Sequence, residues 1–536
     1  MTMGRYFAAT SSVEAWMIPE YKVQHLAINT GQDMKVGYGE SAVSEMSYFA
    51  RALYNYADRY LLTATVRVDG SSKFSKENRF SVFPSLAAAW RLSEEPWMKE
   101  IKWLSMAKLR AGWGRVGNSA VSAYQIYSTF GTAVYPDHTE GNEASGIVPG
   151  IAPSNIANPA LKWETTEQWN LGLDLGFWDG RLAFTLDLYD KYTYDLLQKK
   201  ALSTSSGFSE MWLNDGAIRN RGLELSVDAT PISIGDFELN VAGQISFNRN
   251  TIEDIGAQGG SGKLWLSHTD KEQADCYYYK GNNIGNSNYL HTYANIFIEG
   301  QPVGLFYGYK SDGIVQEGER GVPVTPPSEG NDTSREPGSV QYLDLNGNGF
   351  LDEEDKTIIG DPNPDFIYGF STSFTWKDLT LSASFNGSYG NDILNANLAQ
   401  ETDVAYNGNI FNYWNIRREA YYNAWTPENR NNKYQALGFS QSDNFERRAM
   451  TDRRIEDGSY LRLSNLSISY KLPIPKNKVF RNITVGVSGS NLYVWTKYSG
   501  WDPEVSSNGN DMKKVGIDNG SYPSARTYSF DLKFTF

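Results

Sequence analysis

The sequence predicts an all-β protein: a transmembrane antiparallel β-barrel with long extracellular loops. Three observations carry this reading. Apolar and polar residues alternate with period two in many segments, which is the signature of a strand with two unlike faces. Short turns and long polar loops alternate along the chain, as they do between the two sides of a membrane barrel. No run of about 18 apolar residues occurs, which excludes helical spans but not strands, since these need only about 9–11 alternating residues.

Taken in order, the expected strands are 42–56, 60–70, 80–92, 105–116, 163–176, 181–196, 218–230, 237–250, 291–298, 303–310, 365–376, 379–389, 459–472, 482–495 and 526–536. The alternation is plainest at Leu182, Phe184, Leu186 and Leu188 against Thr185 and Asp187, and at Leu379, Leu381, Ala383 and Phe385 against Thr380, Ser382, Ser384 and Asn386. The last strand repeats it, with Tyr528, Phe530, Leu532, Phe534 and Phe536 set against Ser529, Asp531, Lys533 and Thr535. Tight turns are expected at Ala57-Asp58-Arg59, Trp178-Asp179-Gly180, Glu299-Gly300-Gln301-Pro302 and Lys377-Asp378. Long connections rich in Gly, Asn, Ser and Asp fall at 117–162, 197–217, 251–290, 311–364, 390–458 and 496–525. With every short turn placed in the periplasm, the last strand brings Phe536 to that side and the first strand enters from outside. About fifteen strands is an odd count, whereas a single-chain bacterial barrel has an even one. Either one strand is missed or sequence upstream of Met1 is absent, and the expectation is that it is absent. A soluble sandwich or propeller also has alternating strands. The recurrent long loops and the lack of a repeat period count against both.

Composition narrows the function. Of 536 residues, 62 are acidic and 49 basic, a formal charge of -13, which does not suit a nucleic-acid partner. Aromatics reach 14% while mean hydropathy is -0.48, a pairing that fits interface girdles together with polar loops and a polar lumen. One cysteine rules out an internal disulfide and a Cys-rich zinc site. His25, His138, His268 and His291 are scattered, and no HExxH, G-x-S-x-G or P-loop is present, so no catalytic site is expected. Met1-Thr-Met-Gly-Arg-Tyr-Phe lacks the apolar core of a signal peptide.

One local motif carries ligand chemistry. Residues 344–355 follow the pattern of an EF-hand-like loop. Asp344, Asn346, Asn348, Asp352 and Asp355 supply side-chain oxygens, Phe350 a backbone carbonyl, and Gly349 the sharp turn. This set suits Ca²⁺ in a structural role, although Asp355 stands where a longer Glu is usual. The plainer alternative is an Asx-rich turn without metal. Among loop rings, Trp414, Tyr421, Tyr422 and Trp425 are candidates for ligand or partner contact, with loop packing an equal alternative.

Several longer motifs together resemble the SusC/RagA family of TonB-linked outer-membrane transporters. They include Tyr48–Tyr56 with Asp58–Phe74, Arg79–Ser85, Leu109–Asn118, Glu299–Tyr309 with Asp312-Gly313-Ile314, Gly360–Asp365, and Ser490–Glu504 with Tyr522-Pro523. The resemblance runs from about Tyr48 to Phe536 and covers only the C-terminal half of such a transporter. It implies a portion of a barrel of about 22 strands. Residues 1–41 would be a residual upstream loop or strand segment and 42–536 the C-terminal part of the barrel, with the plug and N-terminal domains absent. It also implies location in the outer-membrane lipid, uptake of oligosaccharides or oligopeptides, a SusD-like surface lipoprotein as lid, and coupling to the TonB complex through the plug and TonB box. Phe534 and Phe536 resemble the C-terminal signal read by the barrel-assembly machinery. The competing functions are a surface carbohydrate-binding β protein and an inactive truncated gene product.

Overall fold

The computed structural model describes residues 2–16, 33–136, 147–256, 259–284, 292–324, 335–402, 416–437, 449–473, 480–504 and 512–535. Its largest sheet has fourteen strands. They are β1 (Thr2–Trp16), β2 (Asp33–Tyr56), β3 (Tyr60–Ser71), β4 (Phe80–Arg91), β5 (Leu104–Asn118), β6 (Glu164–Phe177) and β7 (Leu182–Tyr194). There follow β8 (Ala217–Ile234), β9 (Phe237–Asp254), β10 (Phe366–Trp376), β11 (Leu379–Tyr389), β12 (Tyr460–Leu472), β13 (Asn482–Thr496) and β14 (Thr527–Thr535). Each strand neighbours the next in sequence, so the sheet is a plain meander. The expected all-β class and large antiparallel sheet are present.

The strand count departs from the expected fifteen in two ways. Thr2–Trp16 is a strand, paired along its length with Asp33–Ser47, and β2 runs through the expected boundary between 41 and 42. Segments 291–298 and 303–310 supply no strand to this sheet. Asn295–Ile298 and Leu305–Gly308 are four-residue strands, buried along their whole length, in a separate five-stranded sheet between β9 and β10. Four residues cannot cross a bilayer. Ile296-Phe297-Ile298 and Leu305-Phe306-Tyr307 are apolar without alternation, which was the sign of burial on both faces. Fourteen is even, so the argument from an odd count falls away.

Contacts gather the chain into two units. One comprises Met1–Ala88, Gly112–Trp169 and Tyr192–Ala217, the other Ala89–Ala111, Asn170–Lys191 and Ile218–Phe536. In the first, a small core of Phe74, Phe83, Val121, Ile126, Leu161 and Trp163 holds loop segments together, with Trp163 5.3 Å from Phe74 and donating its Nε1–H to the Arg79 carbonyl. The tight turn after β2 places Ala57 and Asp58 at positive φ. Asn55 steadies it by donating to the Asp58 carboxylate and accepting from the Asp58 N–H.

In the second unit the pairing registers separate two faces. Phe374 lies opposite Leu239 and Leu381, Phe370 opposite Phe385, Ile468 opposite Leu381 and Val487, and Phe530 opposite Val487. The other face carries Asn240 opposite Ser373, Ser382 opposite Ser373 and Ser467, and Ser529 opposite Ser488. The apolar face is exposed: Phe530 is 70% accessible and Trp376 54%. In water each such side chain would forgo about 1.5–3 kcal/mol of burial, a cost that hydrocarbon surroundings remove. Ser464 is a bulge, because Ser384 pairs with Asn465 while Phe385 pairs with Leu463. It keeps Leu461 and Leu463 on the same face as Leu466 and Ile468, and turns Arg462 to the polar side.

The buried cores of this unit lie in the loops. Ala294, Phe306, Leu394, Met450 and Ile517 form one cluster, Leu264, Ile296, Ile298, Leu305 and Tyr307 another. Long connections therefore fold as compact structure, which explains how they can be long without being structureless.

Candidate functional site

Within the second unit a cleft of about 360 Å³ opens between loop segments that follow β9, β11 and β13. The short helix Arg418–Tyr422 and the turn Asp452–Arg454 bring basic residues to it: Arg417, Lys433, Arg453 and Arg454 all line the wall. Arg417 donates from Nε to Glu401 at 2.5 Å and from Nη1 to Ser499 Oγ at 2.8 Å. Ser499 donates its hydroxyl and N–H to Glu456, whose carboxylate also accepts from Asn395. The Asp452 carboxylate accepts from the Ser311 N–H and pairs with Lys310. The Lys433 ammonium lies 5.1 Å from the Tyr434 ring and has no carboxylate partner among the described residues. The cleft therefore offers donors to a polar ligand. A shallower depression of about 300 Å³ on the polar sheet face is lined by Thr230, Asn240, Ser371, Ser373, Ser382 and Ser384, a hydroxyl-rich wall.

A buried ion pair fixes one margin of the loop region. Arg462 on β12 donates to Asp502 at 2.5 Å, and both side chains are almost fully enclosed. Asp502 also accepts the N–H groups of Glu504 and Ser524, joining two parts of the 497–526 connection. Burial pushes its carboxyl up, but those N–H groups and Arg462 outweigh this and hold it below the usual aspartate value.

The loop 344–355 is folded on itself. Gly347 and Gly349 take positive φ, 72° and 88°, which the reversal requires. Asp344 accepts the N–H groups of Gly347, Asn348 and Gly349. Asn346 and Asn348 both direct their amide nitrogens at Asp352. Asp355 is fully buried and accepts from Leu345, Asn346 and Asp352. Burial raises its carboxyl pKa against the pull of those N–H groups. Two of the candidate side chains, Asn346 and Asn348, thus converge on Asp352, while Asp344 and Asp355 accept backbone N–H groups. Among the described residues no three carboxylate, imidazole or thiolate groups gather at one point. A cation would therefore depend on the two asparagines turning their carbonyl oxygens inward. Glu353 faces away from the loop, toward Lys280 and Lys356 at 3.0 and 2.5 Å and the Tyr293 hydroxyl. Burial works to raise it, but the two lysines prevail and hold it down to about 2.

The aromatic candidates separate. Trp425 is not a surface ring: it is 6% exposed, packs with Tyr309, Ile314, Val340 and Tyr342, and donates to Gln316 Oε1 at 3.0 Å. Its indole is an anchor within the loop core, the packing role that was the equal alternative to ligand contact. Tyr421 and Tyr422 are exposed, with rings edge to face at 5.3 Å, on the helix whose Glu419 and Ala420 line the cleft. Phe534 is exposed on the apolar face of β14, opposite Ile483. Trp414 and Phe536 lie outside the described residues. The basic residues of the cleft were missed at the level of sequence; the available signal was two Arg-Arg pairs, 417–418 and 453–454, in an acidic chain.

A wall with one apolar and one polar face, carrying folded loops, defines an outer-membrane β-barrel receptor. Comparison with known proteins gives the family. The family described as TonB dependent receptor-like, beta-barrel matches residues 19–350, and the chain belongs to it. It is 33% identical to TonB-dependent receptor P3 of Formosa agariphila over 498 residues, covering 92% of this chain and 45% of that protein. It is 30% identical to TonB-dependent receptor SusC of Bacteroides thetaiotaomicron, covering 92% of this chain and 44% of that protein. The chain thus spans about half the length of the curated relatives it matches. The solved structure of the RagAB peptide transporter shares the fold, with a TM-score of 0.71 at 23% identity over all of this chain and 53% of that one. The family is one of outer-membrane receptors, not of enzymes.

Proposed function

We propose that this chain acts in TonB-dependent uptake across the outer membrane, and that its cargo is an oligosaccharide or an oligopeptide. The observation that carries the reading is the two-faced sheet of a TonB-receptor family member, whose hydroxyl-rich face would line the route and whose loop cleft would meet the ligand. The SusC and RagAB likenesses support a SusD-like surface lipoprotein as partner at the loop face, where Tyr421 and Tyr422 are exposed. Coupling to the TonB complex through a plug segment belongs to the same reading, as does delivery by the barrel-assembly machinery reading the end of β14. Uptake of labelled oligosaccharide and oligopeptide mixtures by cells with and without the gene tests it. Loss of one class of cargo, with the same loss when the proton gradient is collapsed, is expected. Unchanged uptake of both sinks the proposal.

For the loop 344–355 we propose a structural Ca²⁺ held by Asp344, Asn346, Asn348, Asp352, Asp355 and the Phe350 carbonyl. The ion would neutralise the buried Asp355 and fix a connection more than one hundred residues long between β9 and β10. Terbium luminescence, displaced by Ca²⁺, reads it directly. The signal should vanish in an Asp344→Ala, Asp352→Ala double variant; a signal equal to the parent's would mean that the loop is a metal-free Asx turn.

A further inference from the structure

A group of charges stands on the apolar face of the sheet, immediately beyond its apolar rows. On β9, Phe237, Leu239, Val241, Ile245 and Phe247 share a face with the aromatic row of β10, and Arg249 and Glu253 follow with the same parity. On β8, Asn220 and Thr230 bond to the polar-face residues Asn248 and Asn240, so Arg219 and Arg221 lie on the other face with Leu223, Leu225 and Val227. On β7, the Tyr189 hydroxyl donates to Asn248, which leaves Asp190 on the apolar side above Leu188.

The level of these residues follows from strand geometry. Phe237 to Phe247 is ten steps, about 34 Å along the strand, or about 26 Å along the membrane normal at the usual tilt, and the apolar band of such walls is about 25 Å tall. Arg249 is thus the first outward residue past the hydrocarbon, on the side of the long loops. Asp190 accepts from Arg219 at 2.9 and 2.6 Å and from Arg221 at 3.0 Å, so one carboxylate serves two guanidinium groups. Glu253 is 3.9 Å from Arg219. Arg249 is exposed and has no carboxylate partner among the described residues. The patch keeps a net positive charge on a chain of formal charge -13.

We propose that this patch binds the phosphate of an outer-leaflet lipid headgroup. A guanidinium fork matches phosphate oxygens two at a time and is weakly hydrated, so it suits a site at the edge of hydrocarbon. Basic clusters next to a membrane-spanning segment attract anionic headgroups for the same reason. Arg221 and Arg249 supply the accessible forks, while Asp190 holds Arg221 beside Arg219 and competes with the phosphate for it.

The test uses the purified chain in neutral detergent, with diphosphorylated lipid A as probe and the same lipid stripped of phosphate as comparison. Lipid retention is read by native mass spectrometry. The phosphorylated lipid should be retained preferentially, and Arg221→Ser with Arg249→Ser should weaken retention by about tenfold per guanidinium removed. Asp190→Asn, which removes the competing carboxylate, should strengthen it. Arg181→Ser, at the other end of β7, should change nothing, and strand content by circular dichroism guards against misfolding. Equal retention of the two lipids, or no response to any of these arginine variants, overturns the proposal. So does displacement of the lipid by inorganic phosphate at the lipid's own concentration, which would mark a free-anion site.

Discussion

Single residues carry more of the loop architecture than their composition suggests. Asp502 neutralises Arg462 where water is excluded, and removing it leaves an uncompensated buried charge. Asp502→Asn is expected to cost about 3–5 kcal/mol in denaturant titration, with proteolysis gained first in 497–526. The pH dependence has a definite sign. The folded carboxyl titrates below its unfolded value, so its stabilisation is complete above about pH 4 and is lost as pH falls through the lower folded value. Hydrogen-exchange protection of the Glu504 and Ser524 amides should fall on acidification and not on alkalinisation to pH 9. Trp425→Ala should destabilise by about 3–5 kcal/mol, because it empties a packed site. Tyr422→Ala, at an exposed ring, should leave stability within about 0.5 kcal/mol of the parent and act only on ligand or lipoprotein binding.

At the scale of elements, one inserted residue decides which way a strand faces. Without the Ser464 bulge, Arg462 would point toward the apolar side and lose Asp502. Deleting Ser464 should therefore cost about as much as Asp502→Asn, roughly 3–5 kcal/mol, and the double variant should cost little more than either alone, since both remove the same pair. Additive losses in a double-mutant cycle would show that the bulge acts independently. The strands themselves were legible because alternation against a lipid face leaves a period-two record in Leu379–Asn386 and Tyr528–Thr535. The bulge was not, since a one-residue phase change in Leu461–Ile468 looks like noise until the partner strand is known. Asn295–Ile298 and Leu305–Gly308 misled for a related reason: a short apolar run records burial but not what buries it.

Across the whole molecule, apolar groups are placed in the reverse of the usual order. The loops hold the enclosed cores and the sheet displays large apolar side chains on one face. The motifs that resemble the SusC/RagA family made the class readable, and the family match agrees with it. The cleft was not readable, because Arg417, Lys433 and Arg453 come together only through tertiary folding of one long loop. On the proposed function, cargo would meet that folded surface, so its identity is sought there first. From this placement it follows that one face of the sheet meets lipid and the other meets water. This is tested most directly by a cysteine scan of Phe366–Trp376 in intact outer membranes, after Cys276→Ser, using a water-soluble maleimide and a lipid-dissolved one in parallel. Cysteines in place of Phe370 and Phe374 should react only from the lipid, and those in place of Ser371, Ser373 and Thr375 only from water. Equal reaction of all eleven positions with the water-soluble reagent would contradict it.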